Sequence, residues 1–307
     1  MIYTLTLNPS IDYVINLDEV HLGELNRIQS DSFFTSGKGI NVSRVLNNLG
    51  YDNTALGFIG GFTGSFIEDE LAKENIKTNF TAVDEYTRIN IKVQASEETE
   101  LNGKGPRISE ETAEKLLENI VSVNSDDLVI LSGSKAQNLP DDYYQHIIKM
   151  IKEADSDFVI DTTGDDLKNA LQHNPFLVKP NDVELAELYG VTLETENDYL
   201  KYGQKLIEAG ARFAIVSLGS KGALLFTSEG VYRGHSPKGT LKSSVGAGDS
   251  MIAGFVGTYL ESEDAVEAFK MGLACGSATA FTDDLAKKDE IEALLPQVQV
   301  KKIGKDE

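Results

Sequence analysis

Short apolar runs alternate with longer stretches of helical periodicity along this chain. Residues 2–7, 54–59, 128–131, 158–160, 177–179, 214–217 and 223–226 have the length and composition of strands. Between them, apolar positions three and four apart predict helices over 40–49, 65–74, 110–121, 141–154, 182–188 and 198–208. Alternation at this spacing predicts βαβ units in an α/β fold, with a mostly parallel sheet flanked by helices. Two stretches break the pattern, near 11–35 and 86–104, with period-two positions such as Ile89, Ile91 and Val93. They predict a small antiparallel, β-rich lid beside the main layer. The chain has 307 residues, with no linker, low-complexity tract or internal repeat, so one domain over 1–307 carrying a lid is the simplest organisation.

In open α/β sheets, ligands bind beyond the carboxyl ends of the strands. Here those ends run into Asn8-Pro9-Ser10, Ser132-Gly133-Ser134, Asp161-Thr162-Thr163, Lys179-Pro180-Asn181 and Ser217-Leu218-Gly219. The most informative segment is Ser244-Val245-Gly246-Ala247-Gly248-Asp249-Ser250, which opens into an apolar run on all sides of a helix period. A buried helix start has N–H groups without helical partners and a positive dipole end. Glycines there admit an anion to the backbone, and Asp249 suits a proton acceptor better than a second anion ligand. A plain capped turn, with Asp249 as the helix cap, explains the same residues.

Charge and cysteine content narrow the classes. A formal net charge of −21 argues against nucleic-acid partners and anionic membrane surfaces. It leaves room for small phosphorylated ligands held by local cations. The single cysteine, Cys275, lies in a run of small residues and allows no internal disulfide. The start of the chain alternates like a strand and lacks the pattern of a secretory signal, so a cytoplasmic location is expected.

Other constellations are individually ambiguous. Gly37-Lys38-Gly39 with Asn41 precedes a helix, as a phosphate and sugar loop would, or as an ordinary turn. It is not a Walker A loop. Asn181 and Glu184 share one face at a helix start; Glu184 can hold Mg²⁺ through water, or the two form a capping box. Ser217 to Gly222 reads as a nucleotide-covering turn or a plain hairpin. Arg27, Arg88, Lys104 and Arg107 lie in or beside the lid segments, where they can meet a substrate phosphate or remain solvated charges. No zinc-type spacing and no Gly-x-Ser-x-Gly elbow occur, and the four histidines are scattered.

Taken in order, these pieces resemble the ribokinase-like sugar kinases of the phosphofructokinase B family. The match runs through residues 7–12, 37–42, 60–64, 87–90, 132–134, 179–184, 217–219 and 246–249, nearly the whole chain. Within the family, Asn-Pro-Ser-Ile-Asp at 8–12 resembles the ketose-phosphate kinases. The lid segments look closest to members that phosphorylate D-fructose 1-phosphate at its 6-hydroxyl, with tagatose 6-phosphate kinases as near neighbours. A non-catalytic sugar-phosphate sensor is the alternative of a different class, disfavoured because Asp249, Glu184 and the glycines are all present.

The resemblance implies ATP and Mg²⁺, with roles by position. Asp249 is the expected base, and Gly246, Ala247 and Gly248 supply the anion hole. Asp12, Gly37, Lys38 and Asn41 are expected to hold the sugar, with Arg88, Lys104, Arg27 and Arg107 toward its phosphate. Lys179, Asn181, Ser217, Gly219, Ser220, Gly222 and Gly248 are expected along the nucleotide, and Glu184 at the metal. Two departures stand out: Ser36 replaces the usual first glycine of Gly-Gly-Lys-Gly, and Lys135 to Asn138 replace an apolar loop. An exposed apolar lid face predicts a homodimer through paired lids.

Overall fold

The computed structural model describes residues 1–120 and 122–303. Val121, where the predicted helix over 110–121 ends, lies outside the described residues. The strands in chain order are β1 (Ile2–Thr6), β2 (Ser10–Asn16), β3 (Ser30–Ser36), β4 (Asn53–Ile59), β5 (Lys77–Ala82), β6 (Arg88–Gln94) and β7 (Glu98–Asn102). They continue with β8 (Leu128–Ser132), β9 (Asp157–Asp161), β10 (Leu177–Val178), β11 (Phe213–Ser217), β12 (Ala223–Thr227), β13 (Gly230–His235) and β14 (Gln299–Ile303). The helices are α1 (Lys38–Leu49), α2 (Gly61–Lys73), α3 (Glu110–Ile120), α4 (Tyr143–Glu153), α5 (Gly164–Ala170), α6 (Asp182–Tyr189), α7 (Glu196–Glu208), α8 (Ala247–Ser262), α9 (Ala265–Ala280) and α10 (Lys288–Leu294).

Among the described residues the main sheet has ten strands in the order β14-β13-β12-β11-β10-β9-β8-β1-β4-β5. The segment from β11 to β5 is parallel, and β12, β13 and β14 extend it antiparallel at one edge. The central strands are buried and largely apolar because both faces are covered, with polar residues such as Thr6, Ser132 and Asp161 at their carboxyl ends. In β8, Leu128 and Ile130 enter the core beneath α1, α8 and α9, while Val129 and Leu131 enter the core beneath α3 to α7. Patterning did not predict β5, β13 or β14. These lie at or near the edges of the sheet and carry polar residues on a solvent face, so the apolar signal is weak. No helix among the described residues is long and apolar enough to cross a membrane.

The lid is a separate sheet in the order β3-β2-β6-β7. Its outer pairs are antiparallel, but the central β2–β6 pair is parallel, which corrects the expectation of an antiparallel lid. The reason is topological. β2 continues from β1 and β6 follows β5, and both leave the carboxyl edge of the main sheet in the same sense. Phe34, Asp12, Asn90 and Asn102 form one cross-strand row, and Phe33, Tyr13, Ile91 and Leu101 form the next. Adjacent rows point to opposite faces, so the lid has one polar face and one apolar face.

Helix α1 carries Lys38 and Asn41, and Arg44 fixes it in place. The buried Arg44 guanidinium donates to both Glu74 oxygens at 2.9–3.2 Å and to both Asp284 oxygens at 2.7 and 3.1 Å. Burial opposes its charge, but these carboxylates outweigh burial and hold its pKa above the ordinary arginine value. Replacing Arg44 by Ala leaves both partly buried carboxylates without their counter-ion. We expect a loss of about 2 kcal/mol, seen in calorimetry as a Tm lower by about 5 °C.

Candidate active site

The carboxyl ends of the parallel strands, the first turns of α1 and α8 and the polar lid face meet around two adjoining cavities. One, of about 380 Å³, lies between the lid and the loop before α8, and Asp12, Phe34, Ser36, Asn41, Lys92 and Gly246 line it. The other, of about 320 Å³, is lined by Thr6, Asn8, Gly37, Lys38, Arg88 and Ser132 to Ser134, with Thr162 and Thr163. They adjoin where β3 passes into α1, with Ser36 on one side and Gly37 on the other.

Asp249 occupies the first turn of α8 and is 6% exposed. Its Oδ2 accepts the Asn41 amide N–H at 2.8 Å. Burial and the nearby Asp161 push its pKa up to about 6, against the opposing pull of Asn41, Lys38 and Lys179. It is therefore a carboxylate that ionises near neutrality and is oriented by a fixed donor, as a general base requires. Gly246 caps α8 in the left-handed region, φ +76°, which lets the chain turn sharply into the helix. The Gly248 and Asp249 N–H groups have no acceptor among the described residues, whereas the Ala247 N–H turns back toward the Ser244 carbonyl at 3.4 Å. A Cβ on Gly248 would lie 2.8 Å from Lys179 Nζ, so the glycine lets that ammonium reach the helix start.

Asp12 is held from the lid: its Oδ1 accepts Ser10 Oγ–H at 3.0 Å and the Asn90 amide at 2.9 Å. Its Oδ2 has no donor among the described residues. Arg88 donates to the Gly103 and Asn8 carbonyls at 3.1 and 2.9 Å, and burial draws its pKa down. Among the described residues, seven buried side-chain polar atoms lack a partner, and four of them belong to Thr6, Asn8, Arg88 and Ser132, which all line the smaller cavity. Orphaned buried donors and acceptors gathered in one cavity mark a site for a polar ligand.

Asp161, which sequence reasoning noted only as a strand-end residue, lies at the centre. Lys38 Nζ is 3.0 Å from its Oδ2 and Lys179 Nζ is 3.6 Å from its Oδ1. Burial works against its charge, but the two lysines outweigh burial and hold its pKa below the ordinary aspartate value. The converse holds for Lys38, whose pKa stays raised despite burial because Asp161, Asp249 and Glu184 lie nearby.

The predicted nucleotide residues border the same sheet edge. Asn181 forms a bridge with Ser217, and Gly219, Ser220 and Gly222 lie in or at the end of the turn between β11 and β12. Asn181 and Glu184 do form the reciprocal capping box of α6: Asn181 N–H donates to Glu184 Oε2 at 2.9 Å, and Glu184 N–H donates to Asn181 Oδ1 at 2.8 Å. Arg27, Lys104 and Arg107 line neither cavity. Each is exposed, Arg27 between β2 and β3 and the other two between β7 and α3. A long cation gives up little by staying in water, and nothing here compensates its burial. Ser36 pairs with Ser10 at the end of β3 without a positive φ, so its Cβ fits. Lys135 pairs with Asp166 at 2.9 Å and does not line the smaller cavity.

Comparison with known proteins agrees with this architecture. Residues 5–292 match the model of the pfkB family carbohydrate kinases. The chain belongs to that family. It is 44% identical over 303 residues to the 1-phosphofructokinase of Bacillus subtilis, covering 99% of this chain and 100% of that protein. It is 35% identical over 301 residues to the D-tagatose-1-phosphate kinase of Bacillus licheniformis, covering 98% and 99%. The structure matches that of phosphofructokinase-2 from Escherichia coli in complex with fructose-6-phosphate, with a TM-score of 0.91 and 30% identity over 96% and 98% of the two chains. The protein is thus a carbohydrate kinase, and its fold is the ribokinase-like α/β fold.

Asn41 sets both the direction and the ionisation of the Asp249 carboxylate. Removing its N–H donor favours the protonated acid. Asn41→Ala should therefore move the acidic limb of the kcat–pH profile upward from near 6 and lower kcat by about 10- to 100-fold. A limb that stays in place would show that Asn41 does not govern the base.

Proposed function

We propose that this kinase transfers the γ-phosphoryl group of ATP to the 6-hydroxyl of D-fructose 1-phosphate, giving fructose 1,6-bisphosphate and ADP. The observation that carries the chemistry is the buried Asp249 carboxylate, held by Asn41 beside free N–H groups at the start of α8. Similarity to a 1-phosphofructokinase over the full chain favours the sugar.

In this reading Asp12 and Asn41 bind sugar hydroxyls, and Arg88, with Asn8 and Ser134, receives the existing phosphate in the smaller cavity. The 6-hydroxyl loses its proton to Asp249 as its oxygen bonds to the γ-phosphorus and the bond to the β-phosphate oxygen breaks. The N–H groups of the α8 start and the Lys38 and Lys179 ammonium groups stabilise the charge on the phosphoryl oxygens. Asn181, Ser217, Gly219, Ser220 and Gly222 line the nucleotide. Glu184 fits a hard cation: Oε2 is committed to the cap, while Oε1 has no donor among the described residues. Those residues include no group of three or more His, Cys, Asp or Glu placed to hold a metal ion, so phosphate and water would complete the shell around Mg²⁺. When bound, Mg²⁺ neutralises charge on the β- and γ-phosphate oxygens.

ADP release measured side by side with fructose 1-phosphate, fructose 6-phosphate, tagatose 1-phosphate and tagatose 6-phosphate tests the substrate. We expect fructose 1-phosphate to lead in kcat/KM by at least about tenfold. A faster tagatose phosphate would transfer the reading to that sugar, and binding without ADP release would favour a sensor. With the preferred sugar, Asp249→Asn should lower kcat by about 10²- to 10⁴-fold and leave sugar KM little changed. Because the folded-state pKa of Asp249 is raised, its ionisation costs stability as pH climbs through about 6. The Asn variant should consequently melt no lower than the parent at pH 8.

A homodimer through the lid is part of this proposal. The row Phe33, Tyr13, Ile91 and Leu101 crosses all four lid strands, and Phe33 and Leu101 are 51% and 55% exposed. Pairing two such faces removes apolar surface from water. Sedimentation should show a dimer for the parent and a monomer for Leu101→Asp.

A further inference from the structure

We propose that Asp161 is a positioning residue for phosphoryl transfer, holding the Lys38 and Lys179 ammonium groups in place with its two carboxylate oxygens. The inference rests on the phosphoryl-transfer reading above. Lys38 comes from the first turn of α1 and lines the smaller cavity; Lys179 comes from the turn after β10 and reaches the Gly248 backbone. Left alone, two ammonium groups this close would repel each other, and Lys38, the more exposed of the two, would swing into water. Asp161, 3% exposed at the end of β9, meets one with each oxygen, at 3.0 and 3.6 Å. The three groups carry one net positive charge between the cavity that offers Arg88 and the helix start that offers free N–H groups. Negative charge moves through that space as the phosphoryl group passes from ATP to sugar. Both Asp161 oxygens already face ammonium groups, unlike Glu184, whose Oε1 has no donor.

Asp161 also faces the base. The groups around Asp249 are Asp161 from β9, Lys38 and Asn41 from α1, and Lys179 from the turn before α6. Of these, only Asp161 adds negative charge, so its removal eases ionisation of Asp249. This gives a signature that structural damage does not imitate.

The test compares Asp161→Asn and Asp161→Glu with the parent, each checked by thermal melting for an intact fold. For Asp161→Asn we expect kcat to fall by about 30- to 100-fold and the acidic limb to move to lower pH. Asp161→Glu keeps the charge and displaces the lysines, so kcat falls while the limb stays. In a Lys38→Met/Lys179→Met background, Asp161→Asn should change kcat by less than about threefold, because the residues through which it acts are gone. A full multiplicative loss in that background, or rescue by excess Mg²⁺, would overturn the proposal in favour of direct metal ligation. ATP binding in EDTA, followed by calorimetry, reads the same coupling without turnover. Asp161→Asn should tighten Kd by about tenfold in the double-lysine variant, where it only removes an unpaired anion, and by less than about threefold in the parent, where it also frees the two lysines; equal tightening in both would overturn the proposal. A kinase that turns over none of the ketose phosphates refutes the proposed substrate, while this binding cycle still decides the role of Asp161.

Discussion

Asp249 and Asp161 lie almost out of reach of water, and two carboxylates in such a space drive each other toward neutrality. Lys38, Lys179 and the Asn41 amide counter that tendency, and they divide their effect unequally. Asp161 receives both ammonium groups at close range and stays ionised, whereas Asp249 receives one amide and remains poised. The asymmetry separates a carboxylate kept charged from one that exchanges its proton near neutrality. The rest of the molecule serves to hold these five side chains, which come from β9, α8, α1 and the turn after β10, in one place.

That placement rests on ordinary packing. The apolar faces of α1, α8 and α9 cover one side of the parallel sheet, and small residues let α8 and α9 lie close, with Gly254 against Cys275. Arg44 ties α1 to the end of α2 and to the loop after α9. The first turns of α1 and α8 are therefore anchored from behind, which leaves their N-terminal ends free to face a ligand.

The central strands were legible because burial on both faces writes short, largely apolar segments into the sequence. The edges were not: β5, β13 and β14 carry polar solvent faces and give no clear period. Around the two cavities, Lys38, Asn41 and Asp249 stood out because glycines and a helix start flank them, Arg88 only as one of four lid cations, and Asp12 only through the family resemblance. Asp161 stood in a loop that looked merely polar, since its meaning depends on lysines 123 residues before it and 18 residues after it, read from the numbering. Arg27, Lys104 and Arg107 were suggested by charge sign alone, and the structure places all three on the exposed surface outside both cavities. The capping box at Asn181 and Glu184 was legible as spacing, and the structure adds that one carboxylate oxygen is left over.

The parallel pairing of β2 with β6 has a consequence for how this lid can vary in descent. Asp12 and Asn90 sit opposite each other, and one strand later the order of polar and apolar rows is already set by where β1 and β5 release the chain. Gaining or losing a single residue between the main sheet and either strand would turn the row of Asp12 and Asn90 outward and bring the apolar row over the cavity. The roots of the lid can therefore accept point changes but not odd shifts in length. Its tips, the segments over 17–29 and 95–97, lie beyond the paired rows and are free to lengthen or shorten, so divergence in lid size among descendants should accumulate there.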